Sequence, residues 1–214
     1  MKADIRHYFE SVDHATLLDI IAKRVKDDSI IWLIKTILAN YDSGIPGKGM
    51  PLGNWTSQFF ANVYLNELDQ FAKHPLKAKY YLRYVDDFVI LHRSKKSLQE
   101  YERQISQFLS KLNLQLHPDK CVIIPVKSGI PFLGFRTFYH YRLVRKRNYR
   151  QIMNRLRIFL QAYEDGADYM HVFNVLDGWF TYAMHANTHN LHQRMENWVK
   201  KELEDRKKMH ENAC

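Results

Sequence analysis

Two β-rich runs, Lys79-Tyr80-Tyr81-Leu82-Arg83-Tyr84 and Phe88-Val89-Ile90-Leu91, are separated only by Val85-Asp86-Asp87. Runs so close in sequence pair as a hairpin, which puts two adjacent carboxylates at the tip of an otherwise apolar element. Adjacent carboxylates repel, so the tip is either an open surface turn or a site with a compensating cation. The chain carries its own control: Asp27-Asp28 lies in a polar turn between helical segments and reads as solvated surface. Asp4 sharpens the choice. In Lys2-Ala3-Asp4-Ile5 it sits at the predicted end of a strand, with Tyr8 and Phe9 close behind. Alone it reads as an ordinary surface residue. A strand ending in one carboxylate, beside a hairpin tipped by two, makes a hard-oxygen site suited to two Mg²⁺ ions.

The rest of the pattern supplies a body for that hairpin. From Ala15 to Tyr41 the periodicity is helical, with Leu18, Ile21 and Val25 on one face, an interruption at Asp27-Asp28-Ser29, and a second stripe from Ile30 to Tyr41. Residues 42–55 hold four of the eight glycines and two of the six prolines, which predicts a loop of demanding geometry. A helix is expected over 56–71. Ser97-Leu98-Gln99-Glu100 predicts a capping box opening a helix over 97–113. Cys121–Val126, Pro131–Phe138 and Tyr141–Arg145 read as strands, and helices follow near 148–164, 169–185 and 190–208. The change of character places a domain boundary near residue 146, giving 1–146 as an α+β domain and 147–214 as an all-helical one.

With 214 residues the chain is long enough for one core, or a core and a small second lobe. Lysine and arginine outnumber acids 32 to 23, giving a net charge of +9, which points to a polyanionic partner. The two cysteines, Cys121 and Cys214, exclude a disulfide framework and a cysteine-based zinc site. No apolar run reaches membrane-spanning length, so no membrane partner is expected. Lys2, Asp4 and Arg6 do not open a secretory signal.

Longer motifs carry a resemblance. Asp4-Ile5-x-x-Tyr8-Phe9-x-Ser11-Val12-Asp13-His14 resembles motif A of reverse transcriptases. The run from Gly49 through Pro51-Leu52-Gly53 and Ser57-Gln58 to Asn62 resembles motif B, and Tyr84-Val85-Asp86-Asp87 resembles motif C. Leu114–Lys120 is similar to motif D and Phe132-Leu133-Gly134-Phe135 to motif E. These motifs follow in the family's order. The likeness is to the bacterial branch, which includes group II intron, retron and diversity-generating retroelement enzymes. Leu52, where intron enzymes usually carry Gln, and Gln58, where they usually carry Pro, resemble the diversity-generating type, as does Gly178-Trp179-Phe180 through Thr188.

The resemblance implies a polymerase palm with an antiparallel sheet over residues 1–146, including partial fingers helices, and a helical thumb over 147–214. It implies RNA-directed DNA synthesis from dNTPs on a DNA primer and an RNA template, with two Mg²⁺ ions, or Mn²⁺ as substitute. Asp4 and Asp86 would bind the ions, Asp87 would support them, and Ile5 would offer its carbonyl. Phe9 would exclude a 2′-hydroxyl, and Pro51, Leu52, Gly53, Ser57 and Gln58 would face the nucleotide. An apolar Leu52 offers the nucleotide no hydrogen bond, which predicts error-prone synthesis. Lys120 would protonate the pyrophosphate leaving group, or else is a solvated lysine after a proline turn. Phe132, Leu133 and Gly134 would grip the primer; read without the resemblance they are a core strand.

Arg142, Arg145, Lys146, Arg147, Arg150, Arg155 and Arg157 cluster at the start of the helical part. They form a solvated face or, beside a polymerase palm, a track for duplex phosphates, with Arg145, Lys146, Arg147, Arg150 and Arg155 as the contacts. Ile152, Leu156, Phe159, Leu160 and Tyr163 are expected to face the core. His185, His189 and His192 would share one helix face, as surface or RNA contacts. Family members have fingers strands ahead of motif A, and this chain starts at that motif. A separate fingers segment or an accessory protein is therefore an expected partner, and a non-catalytic nucleic-acid-binding remnant is the alternative reading. The bacterial likeness implies a cytoplasmic, bacterial or phage-encoded protein.

Overall fold

The computed structural model describes residues 1–41, 43–161 and 169–213. It is α+β, and it divides into two compact units, Met1–Ile124 and Pro125–Cys214.

The first unit is built on an antiparallel sheet of order β1-β3-β2, from β1 (Lys2–Asp4), β2 (Tyr80–Tyr84) and β3 (Asp87–Leu91). β3 is central, and Phe88, Val89 and Ile90 are all buried, as expected of a strand covered on both faces. β2 alternates instead: Tyr80, Leu82 and Tyr84 are exposed while Tyr81 and Arg83 turn inward. Helix α4 (Trp55–Lys73) packs on α5 (Lys95–Lys111) and β2. Tyr64 and Leu68 from α4, Ile105 and Leu109 from α5, and Phe88 and Ile90 from β3 share one core. Phe71 and Phe108 stack at 4.2 Å, and the Tyr64 hydroxyl donates to the Leu112 carbonyl at 2.6 Å. A short helical turn α1 (Tyr8–Ser11) follows β1.

The interrupted helical stripe resolves into α2 (His14–Ala22) and α3 (Asp28–Ala39). Asp27 is exposed and caps α3, accepting from the amides of Ser29 at 2.8 Å and Ile30 at 3.3 Å. One expected cap moves. α5 opens at Lys95, with Ser94 as its N-cap accepting from the Ser97 amide at 3.3 Å. Ser97 thus lies inside the first turn, and Glu100 turns forward to Arg103 and Gln104 instead of closing a capping box. The strand expected over Cys121–Val126 shrinks to a single bridge between Val122 and Lys2, because Pro125 has no amide to donate and a 3₁₀ turn, Val126–Ser128, follows.

The second unit joins a small antiparallel sheet, β4 (Ile130–Phe132), β5 (Phe135–Thr137) and β6 (Arg142–Val144), to α6 (Lys146–Gln161), α7 (Tyr169–Ala183) and α8 (His189–Ala213). The single strand expected over Pro131–Phe138 is a hairpin, because Leu133 (φ 47°) and Gly134 (φ 83°) turn the chain back and pair Phe132 with Phe135. The units divide at Ile124, ahead of the boundary expected at 146, because this sheet packs with the helices that follow it. Phe135 stacks on Tyr182 at 4.7 Å, and Arg142 and Asn187 exchange hydrogen bonds of 3.0 and 2.9 Å. Ile152, Met153, Leu156 and Leu160 line the buried face of α6. Phe159 packs against the same core partly buried, and Tyr163 lies outside the described residues.

Two glycines of this unit make opposite demands. At Gly134 a Cβ would overlap the Tyr182 hydroxyl and lie 2.7 Å from Asn148 Nδ2, on a backbone of positive φ; at Gly178, inside α7, it would meet nothing within 4 Å. Gly134→Ala is expected to destabilise the protein by about 1–3 kcal/mol, and Gly178→Ala to stabilise it by up to about 1 kcal/mol. Urea unfolding midpoints should therefore move in opposite directions for the two variants.

Candidate active site

Antiparallel pairing of β1 with β3 makes Asp4 and Asp87 register partners, one ending its strand and the other beginning it. Asp86 lies beside Asp87 in the β2–β3 turn, and its carbonyl accepts from the Ile5 amide at 3.3 Å. That bond ties the end of the first strand to the tip of the hairpin. The Ile5 side chain is buried in the core, so any part it plays at the site falls to its backbone. The turn has an unusual member in Val85, whose φ of 52° is a costly conformation for a β-branched residue.

Crowding of negative charge shows in Asp86. Burial raises its carboxyl above the usual carboxylate range; Asp4 and Asp87 push the same way, against its own backbone amide and Lys120. Both neighbours have cations. Lys120 Nζ donates to Asp4 Oδ2 at 3.2 Å, so the sequence-predicted lysine stands beside the sequence-predicted carboxylate. Lys2 Nζ lies 2.7 Å from Asp87 Oδ1 and gives that oxygen a counter-charge. Among the described residues no three carboxylate, imidazole or thiol groups converge closely enough to chelate an ion. The donor chemistry nonetheless fits a hard divalent cation, since the three carboxylates offer only oxygen and crowd negative charge at one place.

The loop ahead of α4 is stitched to the segment after Asp4. The Gly49 amide donates to the Val12 carbonyl and the Met50 amide to the Phe9 carbonyl, both at 2.8 Å, and His14 Nε2 meets the Gly49 carbonyl at 2.7 Å. Phe9, partly buried against Tyr8, is thereby set beside the loop that carries Pro51, Leu52 and Gly53. Leu52 is 74% exposed, and Gly53 stands in open space with a φ of 91°. Gln58 is exposed, whereas Ser57 is 2% exposed and points into the core. Ser57 is therefore placed for packing and not on the open face with Leu52 and Gln58.

The remaining sequence-predicted residues belong to the second unit. Leu133 and Gly134 form the β4–β5 turn, which is clamped from below: Asn148 Nδ2 donates to the Gly134 carbonyl at 3.3 Å, and the Tyr182 hydroxyl donates to the Leu133 carbonyl at 3.3 Å. Phe132 is partly buried at the base of that turn and Leu133 is exposed at its tip. Arg145, Lys146, Arg147, Arg150 and Arg155 are all exposed at the start of α6, with no acid in its first turn. Among the described residues none of these cations has an ion-pair partner, although Arg155 lies over the Phe159 ring at 5.5 Å. The three histidines do not share a helix face. His185 sits in the turn after α7, and His192 packs its ring on Phe180 at 3.6 Å, because α7 ends at Ala183.

Two residues near the site have no counterpart among the residues the motifs single out. Lys2 and Arg83 lie within strands, yet each places a charge inside: their side chains are 14% and 9% exposed. The period-two alternation of β2 carried the signal for Arg83, since it groups that residue with inward-facing Tyr81. A charge on a buried face needs a partner, and Asp69 on α4 provides it.

Comparison with known proteins bears on the family and the fold. Protein YkfC of Escherichia coli (strain K12) is 28% identical over 69% of this chain and 47% of its own length. Group II intron-encoded protein LtrA of Lactococcus lactis subsp. cremoris is 25% identical over 63% of this chain and 34% of its own length. The chain thus spans less than half the length of these curated relatives. Neither bears the diversity-generating name, so that finer likeness rests on the residues of the α4 loop and thumb alone. Telomerase from Candida albicans, solved with a fragment of telomeric RNA, superposes over 95% of this chain and 40% of its own with a TM-score of 0.53 at 14% identity, which shows the palm and thumb fold. The family profile for "Reverse transcriptase (RNA-dependent DNA polymerase)" matches residues 1–137, well over half of the chain, and the protein belongs to that family.

Proposed function

We propose that this chain is the catalytic palm and thumb of an RNA-directed DNA polymerase that adds deoxynucleotides to a DNA primer on an RNA template. The observation that carries the reading is the register of β1 on β3, which sets Asp4 opposite Asp87, with Asp86 in the adjoining turn tied to Ile5. In this reading Asp4 and Asp86 hold two Mg²⁺ ions, for which Mn²⁺ can substitute, and Asp87 supports them with Lys2 as its counter-charge. Bound there, the ions would acidify the primer 3′-hydroxyl and neutralise phosphate charge. The primer oxygen then attacks the α-phosphorus, and the bond to pyrophosphate breaks. Lys120, 3.2 Å from Asp4, would in this reading give the departing pyrophosphate its proton.

The other roles belong to the same reading. Phe9, held to the α4 loop through its carbonyl, would exclude a ribose 2′-hydroxyl with its ring. Leu52, Gly53 and Gln58 form the open nucleotide face, with Pro51 partly buried behind them. The Phe132–Gly134 turn grips the primer, and Arg145, Lys146, Arg147, Arg150 and Arg155 follow the duplex phosphates. A second reading has one observation in its favour: the carboxylates do not converge as a ready chelate among the described residues. It makes the chain a binding module that keeps the basic helix without the chemistry.

Primer extension on an RNA template decides between them. Mg²⁺-dependent incorporation of dNTP is expected, with Asp86→Ala lowering it roughly 10²–10³-fold. Duplex binding without incorporation would leave the binding module. Leu52→Gln adds one polar contact to the nucleotide face, and a hydrogen bond of about 1.4 kcal/mol would lower the misincorporation frequency about tenfold. Sequencing of the products gives that frequency, and an unchanged error spectrum refutes the role of Leu52.

A further inference from the structure

Behind the carboxylate turn lies a partly buried polar network that no catalytic role explains. Arg83 Nε donates to Asp69 Oδ1 at 2.7 Å, and its Nη2 donates to Asp69 Oδ2. Its third nitrogen, Nη1, donates to the Val85 carbonyl at 2.9 Å and to Asn62 Oδ1 at 3.2 Å. The Tyr81 hydroxyl donates to Asp69 Oδ1 at 2.7 Å. One guanidinium therefore joins three elements: the strand that carries it, the middle of α4, and the turn that carries Asp86 and Asp87.

Stability alone does not account for this arrangement. A desolvated ion pair is often no better than apolar residues of the same volume, so its presence in a core asks for another reason. The reason is visible at Val85. Its φ of 52° is strained for a β-branched residue, and such strain persists only where the surroundings over-determine it. The two-residue turn closed by the Tyr84–Asp87 pair demands a positive φ at its first position, and the Arg83 bond to the Val85 carbonyl braces that turn from behind. It cannot be made by a lysine, whose single ammonium cannot hold a bidentate carboxylate and a carbonyl in a fixed plane.

We infer that Arg83, braced by Asp69, is a positioning residue that holds Val85 left-handed and so aims the Asp86 and Asp87 carboxylates at the cation site. The inference rests on the polymerase reading for the identity of that site, and it deepens that reading. The same network couples the turn to α4, because Asn62, which accepts from Arg83, donates from Nδ2 to the Gln58 carbonyl at 3.0 Å. Gln58 belongs to the nucleotide face, so the helix beneath the nucleotide and the turn beneath the metal share one brace.

The test reads metal affinity without catalysis. Mn²⁺ binding to the full chain, followed by loss of the free-ion EPR signal, is measured for wild type, Arg83→Lys, and Arg83→Lys with Val85→Gly. Arg83→Lys is expected to weaken Mn²⁺ binding about tenfold or more, as loss of a residue supporting metal ligands does, with the affinity for an RNA–DNA duplex unchanged. Val85→Gly removes the Cβ that makes the turn strained, so it should restore most of the affinity in the Arg83→Lys background. A merely structural ion pair would lower the melting temperature and would gain nothing from that glycine. Unchanged Mn²⁺ affinity in Arg83→Lys overturns the inference, as does a loss that Val85→Gly fails to relieve. If Arg83→Lys does not fold, Asp69→Asn, which keeps the shape of the brace and removes its charge, must show a smaller loss in the same direction, and an unchanged affinity there overturns the inference equally. Absence of primer extension by a wild type that binds Mn²⁺ would count against the polymerase reading alone, since the affinity series still decides the role of Arg83.

Discussion

Antiparallel pairing leaves no freedom in which residues face each other, and here it sets a carboxylate at the end of β1 against a carboxylate at the start of β3. A third, Asp86, sits in the β2–β3 turn next to the second, at a partly buried position where its own ionisation is opposed. Like charges at this spacing cost free energy that apolar packing cannot offset. The surrounding structure answers with cations: Lys2 against Asp87, Lys120 against Asp4, and Arg83 behind the turn. Each comes from a different part of the chain. The hairpin, the first strand and the segment after α5 therefore need one another electrostatically as well as through the core.

Those cations are not equivalent. Lys120 is about half exposed and reaches in from a loop, so it can leave Asp4 when a stronger charge arrives. Lys2 is mostly covered beside Asp87, with its Nζ 2.7 Å from Oδ1, and compensates that charge from within the sheet. Arg83 never meets a site carboxylate among its hydrogen bonds; it grips Asp69 and the backbone of Val85. Burial opposes charge on this guanidinium, but hydrogen bonding and attraction to Asp69 more than compensate, so it stays ionised. The result is a gradient from mobile to fixed, with the movable cation nearest the open side and the rigid one beneath the turn.

Much of this was legible in the residues, and the limits have physical causes. The hairpin, the role of Asp4 as a strand end and the interrupted α2–α3 stripe all rest on short-range periodicity, which a sequence displays directly. The cap of α5 was misread because Ser94 and Ser97 both satisfy the local pattern, and only the forward reach of Glu100 to Arg103 decides between them. The strand at Pro131–Phe138 hid a turn because Leu133 is an unexpected residue for positive φ, and the clamp by Asn148 and Tyr182 that holds it comes from distant positions. The Arg83–Asp69 pair spans fourteen residues and two elements, so no local pattern contains it. Ser57 was read by motif position alone, and the facing of α4 buries it while leaving Gln58 outside.

The start of α6 shows what folding does not decide. Lys146 and Arg147 stand in its first turn, at the positive end of the helix dipole, where each costs about 0.3–1 kcal/mol relative to an acid. On the opposite face Ile152, Met153, Leu156 and Leu160 are buried, and each such side chain contributes about 1.5–3 kcal/mol. The apolar face therefore holds the helix in place whatever the charges do. Packing tolerates the basic turn but does not explain it, since acids there would make a better helix. A partner bearing phosphates reverses the balance: it would meet free helix amides, the dipole and the side-chain cations at one place, and the same residues that weaken the isolated helix would strengthen the complex. In the proposed reading, a duplex contact is what would turn these residues from a small cost to the helix into a gain.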